Sequence, residues 1–106
     1  MSKWEAPIFT TGQAAKIIGV NAKTLINYDN WGLFSPGRTH TARRLYSRQD
    51  IYEIMAIRYL LEHKKLTIKG VKFALDLLNL AIEKGVDLRD EILPATVREQ
   101  IEERIP

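Results

Sequence analysis

Apolar residues Ala14, Ala15, Ile17 and Ile18 fall on one helical face between two polar punctuation marks. The first mark is Thr10-Thr11-Gly12-Gln13, which fits a capping box. The Thr10 hydroxyl can accept from the backbone N–H of Gln13, and the Gln13 side chain can reach back. The second is Gly19, a left-handed stop. Asn21 then suits the cap of a second helix running from 22 to about 30. Its inward positions are Leu25 and Tyr28 or Trp31, with Lys23, Thr24 and Asn27 pointing out. Gly32 ends it, Leu33 and Phe34 turn back to the core, and Pro36-Gly37 predicts a tight turn. Two short helices around Gly19-Val20-Asn21 make a helix-turn-helix pattern.

The rhythm changes at RTHTARRLY, residues 38–46. Thr39, Thr41, Arg43 and Leu45 alternate with their neighbours, which predicts a short two-stranded hairpin. Ser47-Arg48-Gln49-Asp50 caps a third helix over about 48–62, with Asp50 also favoured by the positive helix terminus. This helix buries Ile51, Ile54, Met55, Ile57 and Leu61. Thr67 caps a fourth helix that runs to about Lys84. Ile68, Val71, Leu75, Leu78 and Ile82 recur at three-then-four spacing, and Phe73, Leu77 and Leu80 add a second strip. Two strips predict a helix packed on two sides. Gly85 breaks the chain, and residues 86–93 carry no clear period. Pro94 suits the first turn of a short final helix with Val97, Ile101 and Ile105 on one stripe. The chain thus divides into a domain at 1–84 and a C-terminal helical segment at 85–106.

Bulk composition narrows the classes. The 106 residues are 45% hydrophobic and 27% charged, which is ordinary for one globular domain. There is no cysteine. That favours a reducing cytoplasm, since a secreted domain of this size usually needs disulfides. The opening MSKWEAPIFTTG lacks the apolar run of a signal peptide, and no later segment is suited to span a bilayer. The net charge is +3, unevenly spread. Residues 1–50 hold seven Lys/Arg against three Asp/Glu, residues 51–84 six against four, and residues 85–106 three against six. A basic front and an acidic tail suit a protein that turns one face to a polyanion, although a merely solvated surface would look the same. An enzyme is not expected: no Ser-His-acid set or phosphate-cradling glycine loop is visible. His40 and His63 stand alone, so neither a metal nor another cofactor is expected.

The stretch NAKTLINYDNWGLFSPGRTHTARRLYS carries chemistry suited to duplex DNA. Such a reader needs a slim helix with polar tips, flanking cations, and backbone N–H groups at helix starts for phosphates. Lys23 can meet guanine O6/N7 or a phosphate. Asn27 offers the paired donor and acceptor that suit adenine. Thr24 can bond a phosphate or touch a thymine methyl. Lys23 and Asn27 fit backbone contacts or plain exposed positions equally well. Arg38, Arg43, Arg44 and Tyr46 follow on the hairpin, where phosphate binding competes with a solvated charge cluster. Tyr28 and Tyr46 also suit the core, and Lys64 and Lys65 also suit a simple loop.

TTGQAAKIIGV, KTLINYDNWGLFSPGR and RRLYSRQDI resemble the DNA-binding domain of the MerR family of bacterial transcription regulators, over about Phe9 to Leu78. The resemblance implies a mainly α fold: a winged helix-turn-helix with a small β-hairpin wing, four core helices and a short C-terminal helix. It implies that helix two enters the major groove and that the hairpin grips backbone. Tyr28, Arg38, Arg44, Tyr46 and the start of helix one near Thr11 would contact phosphates. Lys64 or Lys65, in a second helical wing, would lie near backbone. It also implies a symmetric homodimer at a promoter, bent or untwisted DNA, RNA polymerase as a partner, and a cytoplasmic, nucleoid-associated protein without a membrane role. Ile26 and Asn27 stand where the family usually has an arginine followed by an aromatic, which removes one phosphate anchor. The short C-terminal segment resembles the lean heat-shock-repressor-like and effector-less branches, or an excised N-terminal part of a longer sensor. The competing reading is an architectural, excisionase-like or chromosome-anchoring module, or a protein-interaction module.

Overall fold

The computed structural model describes residues 4–106. Residues 1–3, which open the MSKWEAPIFTTG stretch and the expected 1–84 domain, lie outside the described residues. Strand β1 (Phe9–Thr10) leads directly into α1 (Thr11–Ile18). The capping box forms as the sequence predicts. Thr10 Oγ1 accepts from Gln13 N at 3.2 Å, and Gln13 Oε1 accepts from Thr10 N at 2.9 Å. Gly19, at φ 90°, closes the helix in the left-handed region, a conformation that strains any residue with a Cβ. Helix α2 (Ala22–Asn30) starts at Asn21, whose Oδ1 accepts from Thr24 N at 2.9 Å.

The chain reverses after α2 earlier than the sequence suggests. Gly32 takes φ 75°, and the backbone N–H groups of Leu33 and Phe34 both donate to Tyr28 O, at 2.9 and 3.2 Å. The reversal is then complete, so Pro36-Gly37 is not a turn. Pro36 is buried and Gly37 opens β2 (Gly37–Arg38). The hairpin turn lies at residues 39–43 instead. Thr39 N donates to Arg43 O and Ala42 N to Thr39 O, both at 2.9 Å, with Ala42 held at φ 64°. Strand β3 (Arg44–Tyr46) returns antiparallel, with Arg38 opposite Arg44. Strand β1 pairs with the other edge of β3, Phe9 opposite Tyr46, giving the sheet order β1-β3-β2. The wing is therefore rooted in the core by Phe9 and Tyr46, both buried.

Helix α3 (Arg48–Glu62) begins with a reciprocal cap. Ser47 Oγ accepts from Asp50 N at 3.0 Å and Asp50 Oδ2 from Ser47 N at 2.8 Å. It buries Ile51, Ile54, Met55, Ile57, Ala56 and Leu60, leaving Leu61 only partly covered. Helix α4 (Ile68–Glu83) is capped by Thr67, whose Oγ1 accepts from Gly70 N at 3.0 Å. It is not packed on two sides. Val71 is its one fully buried residue, while Phe73, Leu77 and Leu80 are 63%, 51% and 49% exposed. The rest of the chain covers one face of α4 only. A single turn, α5 (Arg89–Ile92), precedes α6 (Ala95–Arg104), for which Pro94 serves as the N-cap rather than as part of the first turn. Ile101 is buried in the core, Arg104 Nη1 donates to Ile17 O at 3.3 Å, and Arg48 Nη2 donates to Pro106 O at 2.7 Å. The C-terminal segment thus lies back against α1. No helix among the described residues is long and apolar enough to cross a membrane.

Candidate nucleic-acid interface

Helix α2 is fixed from below by Leu25 and Tyr28, both buried. That orientation leaves Lys23 exposed and Thr24 and Asn27 partly exposed. Thr24 Oγ1 donates to the capping oxygen of Asn21 at 3.1 Å, so its lone pairs remain available. Lys23 has no carboxylate partner among the described residues, and the Asn27 amide makes no side-chain hydrogen bond among them. One turn of helix therefore offers an ammonium, a hydroxyl and an amide to the same side. Tyr28 packs its ring at 6.2 Å from that of Trp31, and its pKa is raised by burial and by Glu62, against an opposing effect of Arg58. Its hydroxyl thereby sits near the end of α3.

One carboxylate joins α2 to the wing. Asp29 Oδ2 accepts from Arg38 Nη2 and from Arg44 Nε, both at 2.8 Å, and Asp29 Oδ1 accepts from Ser35 Oγ at 2.9 Å. Arg38 also donates through Nη1 to Ala42 O at 3.2 Å, bracing the hairpin turn. The Asp29 side chain is only 11% exposed. Its pKa is lowered, first by the Arg44 hydrogen bond, against a smaller opposing effect of burial, with Ser35 and the two guanidinium charges adding to the fall. Arg38 and Arg44 are thus side by side on the helix, not scattered. The carboxylate between them carries no local sequence signal. Its partners lie nine and fifteen residues further on, and an aspartate near a helix end reads as a local feature.

Arg43 projects into solvent with no carboxylate partner among the described residues. Together with Arg44 and Ala42 it faces Thr10, Thr11 and Gly12 across an open cleft of about 400 Å³. Thr11 and Gly12, in the first turn of α1, line this cleft, and a helix start beside cations is an arrangement suited to an anion. Tyr46 lies beneath it, fully buried and stacked at 6.2 Å on Phe34. Its hydroxyl is enclosed beside Thr11 without a hydrogen bond of full geometry. Burial raises its pKa, while Thr11 and Arg44 pull the other way. Lys64 and Lys65 occupy the exposed link between α3 and α4. Lys64 Nζ stands 5.8 Å over the Tyr59 ring, and Lys65 adopts φ 57° so that Leu66 N can donate to Leu60 O at 3.0 Å. Glu62, next to this link, contributes to raising the Tyr28 pKa.

Comparison with known proteins places this arrangement among regulators. A family model described as MerR HTH family regulatory protein matches residues 9–78. The chain is similar to the candidate heat shock protein HspR of Streptomyces coelicolor, at 32% identity over 79 residues, 74% of this chain and 52% of that protein. It is also similar to the HTH-type transcriptional regulator GlnR of Bacillus anthracis and of Bacillus cereus. Each is 33% identical over 67 residues, 63% of this chain and 51% of the relative. The chain spans about half the length of the curated relatives it matches.

Proposed function

The chain belongs to the MerR family of helix-turn-helix regulatory proteins, and on that premise we propose that it is a transcription regulator binding double-stranded DNA in a sequence-specific way. The observation that carries the reading is the Asp29 bridge, which ties two wing arginines to the helix bearing Lys23, Thr24 and Asn27. A polar helix face and its flanking cations then approach a duplex as one body. Helix α2 enters the major groove, with Lys23 and Asn27 at base edges and Thr24 at a phosphate or a thymine methyl. Arg43, Arg44 and the start of α1 at Thr11 take one stretch of backbone, and Lys64 and Lys65 take another. Arg38 braces the wing and adds its outer edge. Tyr28 and Tyr46 support these groups from below, and the enclosed Tyr46 hydroxyl backs Thr11 and Arg44 at the phosphate-facing cleft instead of touching the phosphate itself. The relatives named as a transcriptional regulator and as a heat shock protein favour action at a promoter, with RNA polymerase as the further partner and the nucleoid as the place.

The proposed assembly is a homodimer on a two-fold related site. Phe73, Leu77 and Leu80, exposed at i, i+4 and i+7 on α4, supply an apolar seam for a second copy.

Selection of bound duplexes from a random pool, followed by salt titration, tests the reading. A recurring palindromic sequence is expected, with affinity falling as salt rises by roughly 0.9 in log–log slope per phosphate neutralised. Steep salt dependence without any preferred sequence would replace the regulator with an architectural module. No binding at low salt would leave a protein-interaction module.

A further inference from the structure

Asp29 is oddly placed on local grounds. It sits in the last turn of α2, where the helix macrodipole disfavours negative charge. It also sits among the cations that would attract phosphate, so its charge weakens that attraction. Neither the helix nor simple affinity gains from it. Its acceptors serve the wing and the loop before it: Oδ2 is shared by Arg38 and Arg44, and Oδ1 is taken by Ser35.

We propose that Asp29 is a specificity-determining positioning residue, whose bridge to Arg38 and Arg44 fixes the wing in register with α2 and so raises discrimination among duplexes while lowering general attraction to them. The proposal rests on the DNA-binding reading above. Arg44 is held through Nε, which leaves both Nη groups for a phosphate at the open cleft it lines. Arg38 is held at Nη2 by Asp29 and at Nη1 by Ala42 O, so it locks the turn that presents Arg43. A guanidinium held this way loses less freedom when a phosphate arrives in the expected place. It is also less able to swing toward a phosphate elsewhere. A duplex whose bases do not admit α2 to full depth presents its phosphates out of register, and a fixed wing cannot follow. A loose wing would follow, and the distinction between duplexes would fade.

The test compares the whole chain with Asp29→Asn, which keeps the shape and removes the charge, and with Asp29→Glu. Binding to the duplex selected by the unaltered protein and to a random duplex is measured across a salt series. For Asp29→Asn the selected-over-random ratio should fall at least about tenfold. Random-duplex affinity should hold or rise, with its log–log salt slope steeper by about one as a guanidinium is released to phosphate. Asp29→Glu should recover part of the ratio. A simple loss of folding would lower both affinities together and would not steepen the slope. If Asp29→Asn does not fold, Arg38→Lys keeps the charge without the shared fork and should lower the ratio in the same direction.

An unchanged ratio overturns the proposal, as does an equal gain on both duplexes, which would make Asp29 a plain competitor of phosphate. If the unaltered protein discriminates and the variants discriminate equally, Asp29 falls alone. If the unaltered protein shows no preference, or no binding at low salt, the specific DNA-binding reading falls and Asp29 with it.

Discussion

Helix α2 and helix α4 meet their surroundings in opposite ways. The apolar side of α2 is closed by Leu25 and Tyr28, and its charged end is bound by Arg38 and Arg44. Helix α4 buries only Val71 completely and leaves Phe73, Leu77 and Leu80 in water. The polar surface of α2 is thus organised within the chain, while the apolar surface of α4 is not. Burial favours association by roughly 25 cal/mol per Å² of apolar area. A stripe of three large residues at helical spacing is therefore a demand for a partner, whereas a fixed set of donors on α2 is a geometry ready for a ligand. On the proposed function the first region meets a duplex as it stands, and on the proposed homodimer the second meets another copy of the chain.

The largest expected effect sharpens that contrast. Ile54→Ala, in the core on α3, should lower unfolding free energy by about 2–5 kcal/mol, measured by urea titration. Leu77→Ala, on the open stripe, should cost under about 1 kcal/mol in the monomer by the same measurement. Equal losses would break the comparison. On the proposed homodimer, Leu77→Glu should also reduce the mass seen by sedimentation from two chains to one.

The next effect concerns base reading. Asn27→Ala should relax preference at one base pair of the selected duplex by about 1–3 kcal/mol, whereas Arg44→Ala should weaken binding to all sequences alike. A preference profile that Asn27→Ala leaves intact would remove Asn27 from the reading set. A smaller effect lies at the cap: Asn21→Ala should cost about 1 kcal/mol of stability, visible as a lower thermal midpoint.

The smallest is a pH effect. The Asp29 pKa is depressed in the folded chain. Its stabilising contribution is therefore full above the ordinary carboxylate range and is lost as pH falls through the folded value. Wing amides should gain hydrogen-exchange rate on acidification before those of α3 do. Simultaneous loosening of both would detach the wing's order from Asp29.

Much of this architecture is legible in the residues. Thr10, Asn21, Ser47 and Thr67 announce four helix starts because caps are local, and Gly19 and Gly32 announce stops for the same reason. A hairpin over residues 38–46 is legible, but the alternation does not mark its strands: Thr39, Thr41 and Arg43 lie in the turn and only Leu45 in a strand. A left-handed alanine at position 42 carries none of the Gly or Asn signature that marks such turns. Strand β1 is two residues long, too short for any period to show. The second strip of α4 looked like core because periodicity records apolarity and not what is available to cover it. The gathering of Arg38, Arg44 and Ser35 around Asp29 is set by tertiary packing of the loop after α2, which no short window of sequence contains.

The account turns on α2 and the wing acting together on a duplex. Backbone amide NMR during titration with the selected duplex at low salt tests this most directly. The largest shifts should fall at residues 11–13, 23–28, 39–44 and 64–65, with α6 silent. Shifts gathered along α4 or α6 while residues 23–28 stay unmoved would contradict it.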